Sequence, residues 1–283
     1  MWKQFCSARG IHDRVASVGP VLEFLADLHS KGHRYSSLNT ARAALSALLS
    51  LNVKDKVGQH ELVKRFMKGV FEQDPVVPRY QCIWKVKDVT DYLRSKAPAR
   101  SLSLKDLSLK LVMLLALVTG QRIQTLQALD LNCIHKVKSE WVFTFDVNLK
   151  HMRQNKTAFS VSLRPYPADR RLCVLTYLNE YVRRTEKLRK TESRLLVSFV
   201  KPHKKVSRDT IARWLCCVLQ RAGVDTSQYR AHSTRAASTS HAASRGVPTD
   251  EIMRMAGWSS ADTFQKYYKK PIIRKPYAET VLS

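Results

Sequence analysis

Acidic side chains are scarce in this sequence: 23 aspartates and glutamates stand against 49 lysines and arginines, a formal net charge of +26 over 283 residues. A chain this basic repels itself and condenses on polyanions. Long apolar runs are missing too. The longest, Leu111 to Val118, falls far short of the ~20 residues that cross a bilayer, and an anionic membrane surface is the weaker partner because no basic helix carries an opposing face of Trp, Phe and Leu, so no membrane association is expected. No apolar N-terminal segment with a cleavage site points to secretion. The six cysteines (Cys6, Cys82, Cys133, Cys173, Cys216, Cys217) form no C-x-x-C pair, which reads as reduced thiols of the cytosol or nucleus, with neither a disulfide framework nor a zinc site. The nine histidines make no H-E-x-x-H or similar ligand spacing, so no metal is expected. No G-x-G-x-x-G or G-K-[ST] loop is present, which argues against a nucleotide cofactor. No internal repeat is visible.

A hydrophobic fraction of 44% excludes a disordered basic tail, and the length suggests two domains. The charge is unevenly spread. Residues 1–80 hold 12 basic and 7 acidic side chains, while the remainder holds 37 and 16, net +5 against +21. Two runs concentrate part of it, Arg183-Arg184-Thr185-Glu186-Lys187-Leu188-Arg189-Lys190 and Lys201-Pro202-His203-Lys204-Lys205. Either run alone reads as a solvated helix face or loop. An asymmetry across a whole domain is better explained by a phosphate backbone as partner.

The first 75 residues read as helices. Val21, Phe24, Leu25 and Leu28 fall on one stripe, and Ala41, Ala44, Leu45 and Leu48 repeat it in a helix expected from Thr40 to Leu51. A further helix is expected from Gln59 to Phe71, and the two prolines of Gln73 to Tyr80 mark a linker. Beyond it, helices are expected over Val86 to Leu93, Ser103 to Val118 and Gln121 to Leu129, with a break at Thr119-Gly120. Trp141, Phe143, Phe145, Val147 and Leu149 then alternate with polar neighbours, as do Phe159, Val161 and Leu163: a β-hairpin whose loop spans about Lys150 to Lys156. Leu172 to Tyr268 returns to helical spacing. The fold class is therefore mainly α with a small antiparallel β-sheet.

The densest chemistry lies in Ala231-His232-Ser233-Thr234-Arg235, Ala256-Gly257-Trp258 and Tyr267-Tyr268. His232 and Arg235, three apart, point the same way on a helix. Small residues follow them (Ala236, Ala237, Ser238, Ser240, Ala242, Ala243), allowing another backbone to approach closely. Gly246 to Asp250 is a turn, with Thr249 as the cap of a helix ending at Gly257. On its own this segment reads equally well as a helix-turn-helix. Arg122 follows the turn at Thr119-Gly120-Gln121, where its guanidinium can enter a cleft or merely cap a helix. Lys150 closes a strand at a hairpin tip, where most lysines are ordinary turn polarity; Lys156 is its rival in the same loop.

Taken in order, Arg … Lys … His-x-x-Arg … Trp … Tyr in a basic helical domain behind a smaller helical one resembles the tyrosine recombinase family. The branch it resembles most is that of the DIRS-like tyrosine-recombinase retrotransposons and related eukaryotic mobile elements. The strings that carry the likeness are Leu117-Val118-Thr119-Gly120-Gln121-Arg122, Asn148-Leu149-Lys150, His232-Ser233-Thr234-Arg235, and Ala256-Gly257-Trp258-Ser259-Ser260 with Thr263-Phe264. The likeness implies a helical core-binding (SAM-like) domain at 1–75, a linker at 76–83 and a catalytic domain at 84–283. It implies a site-specific DNA recombinase that cuts and rejoins duplex DNA through a 3′-phosphotyrosine, without metal, ATP or other cofactor. Integration or excision of a mobile element in the nucleus, by a homo-tetramer on DNA, would be its task.

The same likeness gives the residues their roles. Arg122 and Arg235 would fork onto the nonbridging oxygens, Lys150 would protonate the leaving 5′-oxygen, and His232 would bond the phosphate or take the tyrosine proton. Trp258 stands where many relatives have histidine and can donate one hydrogen bond. The nucleophile is Tyr267 or Tyr268. The nine-residue interval from Trp258 favours the first; the Phe-then-Tyr string of the retroelement branch favours the second, towards which the reading leans. Two other readings compete, a type IB topoisomerase with the same chemistry and a DNA-binding helix-turn-helix protein with none.

Overall fold

The structure is a computed structural model, and it describes residues 1–14, 17–49, 56–75, 80–145, 160–258 and 261–272. The chain divides into two compact units, Met1–Arg79 and Tyr80–Ser283.

The first unit is helical: α1 (Trp2–Ala8), α2 (Val18–Ser30), α3 (Tyr35–Leu48) and α4 (Glu61–Gln73). The α2 stripe Val21, Phe24, Leu25 and Leu28 is buried as its spacing requires. Two features differ from expectation. Helix α3 starts five residues before Thr40, so its inward face is Leu38 and Leu45, continued by Leu49, while Leu48 is 62% exposed. Helix α1 was not expected; it is too short to show a period, and it exists because Trp2 and Phe5 pack edge-on against Phe24, with ring centroids 5.2 Å away in each case.

The second unit is mainly α with a small antiparallel sheet. It contains α5 (Val86–Ser95), α6 (Leu104–Thr119), α7 (Ile123–Ala128), β1 (Ile134–Val137), β2 (Glu140–Thr144), β3 (Ser160–Leu163), α8 (Val174–Thr185), α9 (Arg208–Arg221), α10 (Ser233–Ser244) and α11 (Thr249–Ala256). Helix α6 is its axis, with residues 107–116 buried on every side against α8, α9 and α10. Its ends are sharply defined. Ser103 Oγ accepts from Asp106 N–H at 3.0 Å and donates to the Asp106 carboxylate at 2.7 Å, and Gly120 closes the helix at φ +57°.

The sheet has the order β1-β2-β3. Trp141 and Phe143 of β2 stand opposite Leu163 and Val161 of β3, and all four face the core. β1 is an addition to the expected hairpin: four mostly exposed residues leave no alternation to read. The hairpin loop, with Lys150 and Lys156, lies outside the described residues.

Three expectations fail locally. The linker expected at 76–83 does not extend that far, because Tyr80 and Ile83 belong to the second unit's core and Ile83 N–H donates to Pro271 O at 2.9 Å. The stretch from Leu172 to Tyr268 is not helical throughout. Between α8 and α9 the chain runs irregularly, burying Leu195, Leu196 and Val197, with Val197 bridged to Lys205. Nor does Thr249 cap α11; Pro248 holds the cap position and Thr249 is the first helical residue.

Candidate active site

The site forms where α10 begins. Arg235 lies in the first turn of α10 and is 2% exposed, buried because the small residues around it let α10 close onto α6. Its Nη1 donates to the carbonyl of Gly120 at 2.6 Å. That carbonyl is aimed by the left-handed turn, and a Cβ on Gly120 would stand 3.2 Å from Thr239 Cγ2 of α10. Arg122 follows two residues on, half-buried at the N-cap of α7. Gln121 between them is buried, and its side-chain amide donates to Met255 O at the end of α11. One turn thus ties Arg122, Arg235 and α11 together.

Helix α11 ends on a second left-handed glycine, Gly257 at φ +66°, with Trp258 N–H donating back to Met253 O at 2.9 Å. The turn drives Trp258 inward, 8% exposed, with its ring 4.2 Å from the Arg235 guanidinium carbon and 4.6 Å from the Tyr268 ring. Tyr268 closes a π turn, Phe264–Tyr268, in which Lys269 N–H donates to Phe264 O at 2.8 Å. The Tyr268 hydroxyl is 3.1 Å from His232 Nε2, and its ring centroid is 5.4 Å from the Arg235 guanidinium carbon. His232 itself is exposed, at the N-cap of α10. His232 and Arg235 therefore differ in burial yet reach the same tyrosine.

Burial pushes the Arg235 guanidinium down to about 9, helped by the nearby charge of Arg122 and opposed by Tyr268. The like charge of Arg122 disfavours the ionised Arg235, and an anion beside it would favour that form. Arg235 Nε and Nη2, Trp258 Nε1 and Thr234 Oγ1 are buried with no hydrogen-bond partner among the described residues. Buried donors without partners are costly, and those of Arg235 and Trp258, beside the Tyr268 ring, are what a phosphate's oxygens would satisfy. No group of three or more His, Cys, Asp or Glu among the described residues could hold a metal ion.

Of the residues singled out in the sequence, His232, Arg235, Trp258 and Tyr268 meet directly, with Arg122 beside them. Lys150 lies outside the described residues. The Tyr267 backbone belongs to the π turn, and its side chain also lies outside them. Gln121 was not singled out, since a glutamine in a turn carries no spacing signal.

The model of the phage integrase family matches residues 88–271, most of the chain and all of this site. The chain belongs to the phage integrase family. No curated protein matches it. Solved structures with a similar fold include the Tn1549 transposon integrase in complex with transposon right-end DNA, with a TM-score of 0.61 and 10% identity over 94% of this chain and 84% of that one. The XerH site-specific recombinase bound to difH substrate aligns at a TM-score of 0.59 and 12% identity, covering 99% of this chain and 75% of the other. A lambda integrase dimer bound to a COC′ core site aligns at 0.54 and 16%, covering 97% and 89%. At such identities these phage integrase relatives share the fold; the chemistry must be argued from the residues themselves.

Proposed function

We propose that this chain is a site-specific recombinase that cuts and rejoins double-stranded DNA through a covalent 3′-phosphotyrosine. The observation that carries the reading is the buried Arg235, with one guanidinium N–H on Gly120 O and its others unpartnered, beside a tyrosine hydroxyl bonded to histidine. Tyr268 Oη attacks the scissile phosphorus and the P–O5′ bond breaks, leaving a 3′-phosphotyrosine and a 5′-hydroxyl. His232 Nε2 accepts the phenolic proton when its hydrogen is on Nδ1. Arg122, Arg235 and the Trp258 indole stabilise the charge gathering on the nonbridging oxygens. Lys150 protonates the departing oxygen. The phosphotyrosine conserves the energy of the cut bond, so the residues require neither ATP nor metal.

Action as a homo-tetramer, on two duplexes and in the nucleus, belongs to the same proposal. So does a task in integrating or excising a mobile element of the DIRS-like kind, supported by the strings around Arg122 and Trp258. The test is covalent capture on nicked duplexes tiled across the DNA that flanks the gene. A denaturant-resistant adduct is expected for the wild type and Tyr267→Phe, and none for Tyr268→Phe. An adduct that survives loss of Tyr268 but not of Tyr267 moves the nucleophile. No adduct with any protein, despite tight DNA binding, leaves a binding protein without catalysis. Relaxation of supercoiled plasmid of any sequence would mark a topoisomerase instead.

A further inference from the structure

Several hydroxyl side chains buried in the helices of the second unit turn back on their own helix. Thr119, Thr185 and Thr239 each donate to the carbonyl four residues earlier. Ser240 does not. Although 3% exposed in the middle of α10, its hydroxyl reaches out to the tyrosine-bearing turn. Ser240 Oγ donates to the Tyr268 carbonyl at 2.6 Å and accepts from the Lys270 N–H at 2.9 Å. One oxygen thus grips the backbone on both sides of Lys269, just beyond the π turn that presents the tyrosine. The helix that supplies it also carries Arg235 in its first turn and His232 at its cap.

The geometry points to Ser240 as a positioning residue that fixes the nucleophile's backbone to the helix carrying its proton acceptor and its phosphate clamp. This rests on Tyr268 being the nucleophile. In-line attack needs the phenolic oxygen within a few tenths of an ångström of its place, and a misplacement of about 1 Å costs about a hundredfold in rate. Two hydrogen bonds to one buried hydroxyl tie the turn at that precision. Small size alone explains Ala236 and Ala237 in the same helix, where close packing is the whole requirement. At position 240 the hydroxyl is needed as well.

The experiment uses the full chain and a nicked duplex from the DNA flanking its gene. Ser240→Ala removes one oxygen, adds nothing and favours the helix, so the unit should fold and bind DNA as before. Adduct formation should slow by about tenfold to a hundredfold, with the adduct still on Tyr268 by peptide mapping. A second readout separates positioning from a general defect. Hydroperoxide supplied to Tyr268→Phe can attack the same phosphorus, breaking the same P–O5′ bond with no protein nucleophile to place. Tyr268→Phe and Tyr268→Phe/Ser240→Ala should then cleave at equal rates. Wild-type speed for Ser240→Ala, or an equal loss with hydroperoxide, overturns the proposal. An adduct persisting in Tyr268→Phe overturns the assignment of the nucleophile and this proposal with it, and that result alone identifies the case.

Discussion

Replacing Arg235 with methionine should stabilise the free protein while abolishing cleavage. The guanidinium is pushed down to about 9, chiefly by burial, so the charged form at neutral pH costs the folded chain on the order of 5 kcal/mol. Two losses offset that relief. Gly120 O loses its 2.6 Å donor, worth about 1–3 kcal/mol when a buried acceptor is stranded, and the stack on Trp258 gives up about 1 kcal/mol. The balance is a gain of about 1–3 kcal/mol for R235M, a rise in Tm of several degrees in a unit of about 200 residues. The pH dependence has a definite sign. The folded chain releases the Arg235 proton more readily than the unfolded chain, so wild-type stability rises with pH from about 9 upward. The advantage of R235M is therefore full at pH 7 and shrinks above pH 9. Urea unfolding of both proteins from pH 7 to pH 10 measures it, and adduct formation measures the lost activity. An R235M protein less stable than wild type at pH 7, or an advantage unchanged at pH 10, would refute the reasoning.

Arg189 should behave oppositely: it is also buried, though less deeply, and it donates to Arg194 O at 2.7 Å, Leu195 O at 3.2 Å and Thr185 Oγ1 at 2.6 Å, so R189M should lose about 2–4 kcal/mol in urea unfolding. Gly120→Ala forces a side chain into φ +57° and to 3.2 Å from Thr239 Cγ2. It should cost about 1–2 kcal/mol and, by displacing the carbonyl that holds Arg235, slow cleavage more than it weakens DNA binding. Lys150→Ala should be severely slow on an ordinary phosphodiester yet recover on a 5′-bridging phosphorothiolate, because a thiolate leaves without a proton; equal defects on the two substrates would remove Lys150 as the acid.

Much of this architecture was legible because the sequence states it redundantly. Helix α6 has a serine cap, a continuous apolar face and a terminal glycine, three signals that agree on the same boundaries. Arg235, Trp258 and Tyr268 stand out in the sequence as an ordered set of residue types, and the chain brings their separate turns together. Where the reading failed, the deciding contact leaves no hydrophobic period in the segment itself. Helix α1 depends on Phe24, β1 is an edge strand paired with residues after it, and the irregular stretch before α9 is held by Arg189 turning back on Leu195. Ser240 was visible as a small residue in a small-residue helix. Its use depends on where Tyr268 and Lys270 pass, which no local period encodes.

The charge surplus takes on a different meaning once individual cations are placed. The run at 183–190 reads by itself as a solvated helix face or loop, but Arg183 pairs with Glu180, Arg184 donates to Leu102 O at 2.6 Å and Arg189 is interior. Those positive charges organise the domain itself. What separates them from Arg235 is how they are satisfied. Burial pushes both Arg189 and Arg235 below the usual arginine range, yet among the described residues Arg189 leaves only Nε without a partner, while Arg235 leaves both Nε and Nη2 and faces the charge of Arg122. A fold under selection for stability alone would complete or remove such a group. In the proposed reaction a scissile phosphate would supply the missing acceptors and offset part of that cost. The sign of R235M relative to R189M is thus a direct reading of which buried arginine serves the fold and which serves the reaction.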